Sequence, residues 1–203
     1  MRPIALMMLM SMLVAGYAAA QGSWETTTSG CKVWLDDPHP DKTITWSGSC
    51  SEGRASGKGI LVWSLMLGGK PVESRYEGWM RDGDIAGTAT YAWGNGNRYE
   101  GRFFEGVMED DDGIYEWANG NRYEGAFTRG EENGRGVHDW ANGNNYAGEF
   151  KNGVIEGRGV HVWANGDRYQ GEFRGGLMDG EGVYVWASGR RFEGRFREGK
   201  PAQ

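Results

Sequence analysis

Large aromatic residues alternate with polar residues and glycine through most of the chain. Each stretch opens with the order aromatic-x-Gly-x-aromatic, as in Tyr146-Ala147-Gly148-Glu149-Phe150. Side chains two residues apart in a β-strand point to the same face, so both rings and the glycine share one face. The pattern therefore predicts short strands that have one aromatic face and one polar face.

The leading aromatic of each stretch recurs at a fixed interval, with spacings of 23, 24, 23, 23 and 23 residues. The leading residues are Tyr76, Tyr99, Tyr123, Tyr146, Tyr169 and Phe192, and the glycines two residues later are Gly78, Gly101, Gly125, Gly148, Gly171 and Gly194. A tryptophan ends the second strand of each unit, at Trp63, Trp93, Trp117, Trp140, Trp163 and Trp186. Such a period indicates a repeat architecture.

Two glycine-containing turns are predicted in every unit. A glycine stands seven residues after each leading aromatic, and Ala-Asn-Gly precedes the next unit, as at Asn142-Gly143. Asn-Gly between two strands favours a hairpin because both residues tolerate positive φ. Each unit is thus two antiparallel strands without helix. The strand glycine leaves room for an aromatic ring from a neighbouring strand, so rings over glycines would replace a conventional core.

These Tyr-Glu-Gly-x-Phe and Trp-Ala-Asn-Gly elements resemble MORN (membrane occupation and recognition nexus) repeats over residues 76–199. The resemblance implies an all-β fold, an elongated single-layer sheet of stacked antiparallel β-hairpins with a groove along one side. Units begin at residues 76, 99, 123, 146 and 169, a half unit spans 192–199, and a tail spans 200–203. A degenerate first unit, 46–75, is led by Trp46 and carries Gly48 and Gly59 at the repeat offsets.

The N-terminal segment, residues 1–20, has the layout of a cleaved signal peptide. Arg2 precedes an apolar run over residues 4–15, and small residues follow it. The alternative is a membrane anchor, which needs about 20 apolar residues and is disfavoured by the shorter run. We therefore expect an exported protein, periplasmic or secreted, with no transmembrane segment in the mature chain.

Residues 21–45 do not fit the repeat and are predicted to be an N-terminal cap, because repeat arrays need a cap on their exposed edge. Cys31 and Cys50 are the two cysteines of the chain. In an oxidising compartment a disulfide between them, enclosing Pro38 and Pro40, is the default. The alternatives are two free thiols or a metal site, but two Cys without a paired His nearby do not make a zinc site.

Composition and charge argue against several classes of structure and function. The chain has 36 glycines among 203 residues without a three-residue period, which excludes collagen. Its net charge of −6, with no run of Lys or Arg, disfavours nucleic acid and anionic lipid as partners. No motif for a catalytic nucleophile, a phosphate loop or a zinc site is present. We expect no enzymatic activity and no cofactor.

One position of the repeat, 15 or 16 residues after the leading aromatic, forms a column of flat side chains: Tyr91, Tyr115, His138, His161 and Tyr184. They either pack as a ladder or form a strip on which sugars or peptides stack. Neighbours two strands apart lie roughly 10 Å from each other. The two histidines are therefore too far apart to share a zinc ion, which lies about 2 Å from each ligand.

Three further features carry alternative interpretations. Leu65, Met66 and Leu67 lie near a Gly-Gly turn in a lengthened hairpin, where they either contact a partner or fold back over the cap. The acidic residues 109–112 are interpreted as a solvated turn, with a calcium site as the alternative. Arg and Glu flank the leading aromatics and should pair weakly on the polar face.

The leading hypothesis is an extracytoplasmic scaffold or protein-binding module, with a protein partner or self-association through the C-terminal edge. The first alternative is a carbohydrate-binding protein of the cell envelope that uses the Tyr/His/Trp surface. The second is weak membrane-lipid association, against which the acidic balance argues.

Overall fold

A computed structural model describes residues 22–35 and 42–202. The chain divides into two compact units, Met1–Met108 and Glu109–Gln203. In both units the described residues form strands and turns, with no helix among them, so no described segment could cross a membrane as a helix. The predicted signal peptide, and Pro38 and Pro40, lie outside the described residues.

The described residues of the first unit, 22–35 and 42–108, form nine strands. They are β1 (Ser23–Thr26), β2 (Lys32–Leu35), β3 (Thr43–Trp46), β4 (Ser49–Ser51), β5 (Arg54–Leu67), β6 (Lys70–Arg81), β7 (Asp84–Ala92), β8 (Arg98–Phe104) and β9 (Val107–Met108). Strands β5 to β8 each pair antiparallel with the next strand in the chain. Strands β3 and β4 both pair with β5.

The second unit also contains nine strands, and each pairs antiparallel with its neighbour in sequence. They are β10 (Asp110–Glu116), β11 (Arg122–Thr128), β12 (Glu131–Asp139), β13 (Asn145–Lys151), β14 (Val154–Val162), β15 (Arg168–Arg174), β16 (Leu177–Val185), β17 (Arg191–Arg197) and β18 (Lys200–Pro201). Strand β18 pairs Pro201 with Phe196. Residues of the expected tail therefore cover part of the last long strand.

The two turns of each unit differ from the predicted assignment. The two-residue turn with both φ values positive lies at Arg129 (φ 55°) and Gly130 (φ 82°). In the Ala-Asn-Gly turn only Gly143 has positive φ, and its N–H donates to the carbonyl of Trp140 at 2.9 Å. The Asn142 carboxamide instead accepts the N–H of Asn144 at 3.0 Å. Asn-Gly thus belongs to a longer turn that ends in a left-handed glycine.

Tyrosine rings lying over glycines form the core. The Tyr146 ring covers Gly148 and the paired Gly159, where an added Cβ would lie within 2.6 Å of Cζ of Tyr146. The Tyr146 hydroxyl donates to the carbonyl of Glu149 at 3.2 Å. The predicted ring-over-glycine packing is confirmed, but the ring belongs to the strand that carries the first glycine. The buried leading residues are Tyr76, Tyr99, Tyr123, Tyr146 and Tyr169.

The degenerate first unit repeats this arrangement with tryptophan. The Trp46 indole is buried and donates from Nε1 to the carbonyl of Ser49 at 2.9 Å. A Cβ on Gly48 or on Gly59 would lie within 2.6 Å of the Trp46 ring. Trp46 therefore takes the structural place of a leading tyrosine, down to the hydrogen bond three residues along the strand.

The opposite face of the sheet is charged, as predicted. The ion pairs Arg75–Glu77 and Arg98–Glu100 span 3.0 and 2.7 Å. Register also decides the buried face of the second strand, because Val160 and Val162 beside Trp163 put apolar residues at both alternating positions. Val160 pairs with Ala147 and lies on this polar face.

The cap and the disulfide lie beside the first repeats. Cys31 and Cys50 are joined by a disulfide, with their Cα atoms 5.6 Å apart. The Trp34 N–H donates to the carbonyl of Gly83 at 2.8 Å. The guanidinium of Arg54 lies 4.7 Å from the ring centroid of Trp24. The cap is thus held by a covalent bond, a backbone hydrogen bond and a cation–π contact.

The acidic residues 109–112 do not form a turn. Strand β10 begins at Asp110, and a bulge separates Asp110 from Gly113, which pairs with Gly125. The Glu109 carboxylate accepts the N–H of Arg129 at 2.9 Å. Within the described residues no group of three or more His, Cys, Asp or Glu side chains could hold a metal ion. The inserted residue is absorbed as a bulge, which keeps the glycine pair in register.

Candidate functional site

The tip of the β5–β6 hairpin exposes apolar side chains. Gly68 and Gly69 form its two-residue turn with φ of 58° and 78°. Met66 is 59 % exposed and Leu67 is 55 % exposed, while Leu65 is half-buried. The described residues of the cap therefore leave Met66 and Leu67 uncovered.

The base of this hairpin is anchored to the neighbouring turn. The hydroxyl of Ser74 accepts the N–H of Gly94 at 2.9 Å. Val72 packs so closely on Gly94 that an added Cβ there would clash with its methyl group. The tip thus projects from a fixed base, which limits the conformational entropy that a partner would have to remove.

The predicted column is part of a longer aromatic ladder. In the second unit the tryptophans lie between the column residues. This insertion was not predicted from the sequence. Successive ring centroids are 4.2 to 5.5 Å apart. The rings follow the order Tyr115, Trp117, His138, Trp140, His161, Trp163, Tyr184 and Trp186. The signal was present in sequence, because each tryptophan follows its column residue by two positions.

Both histidines of the ladder are packed between indoles. His138 lies 5.0 Å from Trp117 and 4.2 Å from Trp140, and its Nδ1 is 3.7 Å from a carboxylate oxygen of Glu132. Burial lowers the pKa of His161 below its usual value. Trp140 separates the two imidazoles, so they do not converge on a common ligand.

The ladder offers ring edges rather than ring faces. His138, Trp140, His161 and Trp163 each have a ring neighbour on both sides along the ladder. At the far end the Arg190 guanidinium lies 3.9 Å from the centroid of the Trp186 ring. A sugar stacks on an open ring face, so this arrangement favours packing over ligand stacking.

Polar contacts join successive Ala-Asn-Gly turns beside the ladder. The Tyr184 hydroxyl donates to Asp167 at 2.8 Å, and the same carboxylate accepts the N–H of Ala187 at 2.8 Å. The hydrogen bond from Ala187 has the largest effect on the pKa of Asp167. It and the bond from Tyr184 both lower this pKa. Asn144 makes the equivalent bond to the N–H of Ala164 at 3.0 Å. The side chains at this position therefore connect one unit to the next.

Complementary charges face each other across strands on the polar face of the second unit. Three directly opposed residue pairs are acidic on one strand and basic on the next, and the Arg158 guanidinium lies 3.4 Å from the Glu172 carboxylate. The pairs are Arg135–Glu149, Arg158–Glu172 and Glu181–Arg195. Mutual neutralisation leaves this face without a strong preference for either sign of charge.

The corresponding pairs in the first unit are not complementary. Lys58 lies opposite Trp79, and Arg102 lies opposite Thr88. Trp79 is 54 % exposed, and Phe104, on the same face two strands away, is 62 % exposed. Sequence reasoning missed both aromatics. The available signal was that Trp79 stands three residues after its leading tyrosine, where other units carry Arg102, Ala126, Glu149 and Glu172.

Comparison with known proteins finds MORN repeats in part of the chain. The MORN repeat model matches residues 113–122, 123–145, 146–168 and 169–190, all in the second unit. A comparison with curated protein sequences gave no match. A similar solved structure is the TCP domain of SAS-4 from Drosophila melanogaster, in complex with a proline-rich motif of Ana2. That structure shares 14 % identity with a TM-score of 0.43, over 93 % of this chain and 99 % of the other.

Proposed function

We propose that this MORN-repeat chain is a non-catalytic, extracytoplasmic protein-binding module that engages a protein partner through the tip of the β5–β6 hairpin. The observation that carries the proposal is the exposure of Met66 and Leu67 on a hairpin whose base is anchored at Gly94. Exposed apolar groups on a fixed support are typical of protein interaction sites.

An extracytoplasmic location is supported by the disulfide between Cys31 and Cys50. Such bonds form and persist in oxidising compartments and are rare in the cytosol. The proposal is that the chain acts in the periplasm or after secretion.

Carbohydrate binding has less support because the ladder rings cover one another's faces. Membrane association has less support because juxtamembrane recognition of anionic lipid uses clusters of about four to eight Lys or Arg. The sequence contains no run of such residues.

Affinity capture from a cell-envelope extract tests the proposal, with the purified disulfide-bonded protein immobilised through its C-terminus. Proteins retained by the wild type should be lost with Met66→Asp and with Leu67→Asp, because a charge at the tip opposes burial of that surface. The matched control is Val154→Asp, which places the same charge at the first residue of β14, a residue that is 44 % exposed in the second unit.

Retention of the same proteins by all three variants would contradict the proposal. Sedimentation of the purified protein separates a foreign partner from self-association. A dimer that Met66→Asp dissociates would identify a second copy as the partner, while retention that depends on added polysaccharide would favour the carbohydrate alternative instead.

A further inference from the structure

We infer that the polar face around Trp79 and Phe104 binds an extended acidic peptide segment that carries one apolar side chain between two carboxylates. The inference rests on the proposed protein-binding function and assigns a second surface and the chemistry of its partner. This surface, named here the Trp79 patch, comprises Lys58, Trp79, Arg81, Arg102 and Phe104.

Register brings the members of the Trp79 patch to one face of the first unit. Trp79 pairs with Ala86, and Gly87 pairs with Phe103, so the next position in the same register places Phe104 beside Ala86. The Trp79 side chain overlies Gly87, where an added Cβ would be 3.6 Å from Cβ of Trp79. The two exposed aromatic residues therefore lie on strands to either side of Ala86.

Comparison of equivalent repeat positions in the two units shows that Lys58 has no carboxylate opposite it. In the second unit the basic residue Arg158 faces Glu172 across the strands. At the equivalent place in the first unit Lys58 faces Trp79, so the carboxylate is replaced by an exposed indole. An acidic partner would supply the missing carboxylate while its apolar group contacts the indole. This charge complementarity is what indicates the partner.

The remaining charges of the Trp79 patch agree with an acidic partner. Arg81 and Arg102 lie on the same face as Lys58. The acidic residues on that face include Glu77 and Glu100, and Asp84 lies opposite Arg81. A guanidinium has five N–H donors, so Arg102 can bind a partner carboxylate in addition to contacts within the sheet. Arg75 and Arg98 are paired with glutamates and add no net charge.

Strand spacing sets the length of the bound segment. Lys58 on β5 and Arg102 on β8 are three strands apart, or about 14 Å across the sheet at ~4.8 Å per strand. An extended chain covers that distance in about four residues and points alternate side chains to the same side. The recognised pattern is therefore acidic-x-apolar-x-acidic, with its apolar side chain between Trp79 and Phe104, over Ala86.

A membrane surface fits the Trp79 patch less well than a peptide. The three basic residues of the Trp79 patch, Lys58, Arg81 and Arg102, fall short of the clusters of about four to eight that attract anionic lipid. The chain has 10 tryptophans, and others among them are buried or half-buried in the sheet. A binding experiment must therefore resolve the indole signal of Trp79 from the signals of the others.

The test is a titration of the full chain, disulfide intact, with the peptide Gly-Ser-Glu-Ser-Leu-Ser-Glu-Ser-Gly. The indole N–H resonance of Trp79, assigned with Trp79→Phe, should shift in a saturable way, and Lys58→Glu should weaken binding about tenfold through like-charge repulsion. Trp79→Ala and Phe104→Ala should also weaken binding. Arg158→Glu, in the second unit, is the matched control and should not.

Peptides with both glutamates replaced by lysine, or with the leucine replaced by serine, should leave the resonance unshifted. Equal binding of the lysine peptide, equal binding to Lys58→Glu, or no binding by the folded wild type would each overturn the inference. A shift produced by phosphatidylglycerol vesicles but by none of the peptides would also overturn it, in favour of a lipid surface. Capture of proteins through Met66 would survive these results, so the two proposals fail separately.

Discussion

The imidazole of His161 lies parallel to neither of its indole neighbours, with its plane inclined by 32° to that of Trp163 at a centroid distance of 4.2 Å. On its other side Trp140 stacks at 5.5 Å and 23°. Nδ1 of His161 is buried without a hydrogen-bond partner among the described residues. A titratable ring is thus held in an environment that disfavours its charged form.

Acidification should destabilise the fold through His161. Its pKa in the folded state is lowered by burial, so the unfolded chain binds a proton more readily. Well above the unfolded-state pKa of about 6.5, His161 is neutral in both states and does not change the free energy of unfolding. As the pH falls from there toward the folded-state pKa, the free energy of unfolding decreases. Urea denaturation at a series of pH values measures this slope.

The variant His161→Phe keeps a flat ring and removes the titration. The difference in unfolding free energy between wild type and variant should therefore change as the pH is lowered below neutrality. A constant difference over the acidic range would contradict this role of His161.

Alkaline conditions should destabilise the fold through the leading tyrosines. Burial raises the pKa of Tyr76 and of Tyr146 to about 12, against 10.0 for an ordinary tyrosine. Stability is complete below pH 10.0 and is lost as the pH rises toward 12, because the unfolded chain ionises first. Thermal melts combined with ultraviolet titration of tyrosinate would detect the effect.

Tyr146→Phe provides the control for that experiment. It removes one titrating group and should make the loss of stability with rising pH less steep. It also removes a hydrogen bond to the carbonyl of Glu149, so we expect a pH-independent cost of about 1 kcal/mol. An unchanged slope would show that Tyr146 does not contribute.

A methyl group at Gly159 should disrupt the ring-over-glycine core. Its Cβ would lie 2.5 Å from Cζ of Tyr146, so the ring has to move. We expect Gly159→Ala to lower the free energy of unfolding by about 2 kcal/mol through overpacking. Chemical denaturation measures it, with Val160→Ala on the opposite face as the control. Equal, small effects of both substitutions would refute the packing argument.

Loss of the disulfide should weaken the cap. The bond joins residues separated by 19 positions, and a loop of this size corresponds to roughly 3 kcal/mol of stabilisation. The double variant Cys31→Ser, Cys50→Ser should lower stability by that amount while the second unit keeps its strands. Circular dichroism and proteolysis distinguish the two effects, and cleavage spread evenly over both units would argue against a local role.

Much of the local structure could be predicted because it depends on short-range rules. The period-two pattern placed Tyr146, Gly148 and Phe150 on one face, and glycine at the seventh position marked a turn. The same offsets identified Trp46 as the first leading residue. Charge spacing predicted the pairing of Arg75 with Glu77. These features depend on strand geometry and on the φ preference of glycine, both of which act within a few residues.

Other features needed the strand register. The charged residues 109–112 are of the kind found in exposed turns. Because Gly113 pairs with Gly125, they instead lead into a bulged strand. The positive φ values at Arg129 and Gly130 follow from joining two twisted strands, so a residue that ordinarily avoids this region occupies it.

What the sequence determined by itself is the repeat: its period, its strands and turns, and the aromatic and polar faces of each first strand. Only the tertiary structure decided that Trp140 inserts between His138 and His161, that Met66 stays exposed, and that Trp79 and Phe104 share a face. The physical reason is that side-chain alternation is a local property of one strand. Which side chains become neighbours across strands depends on hydrogen-bond register, which is set by every turn and bulge between them.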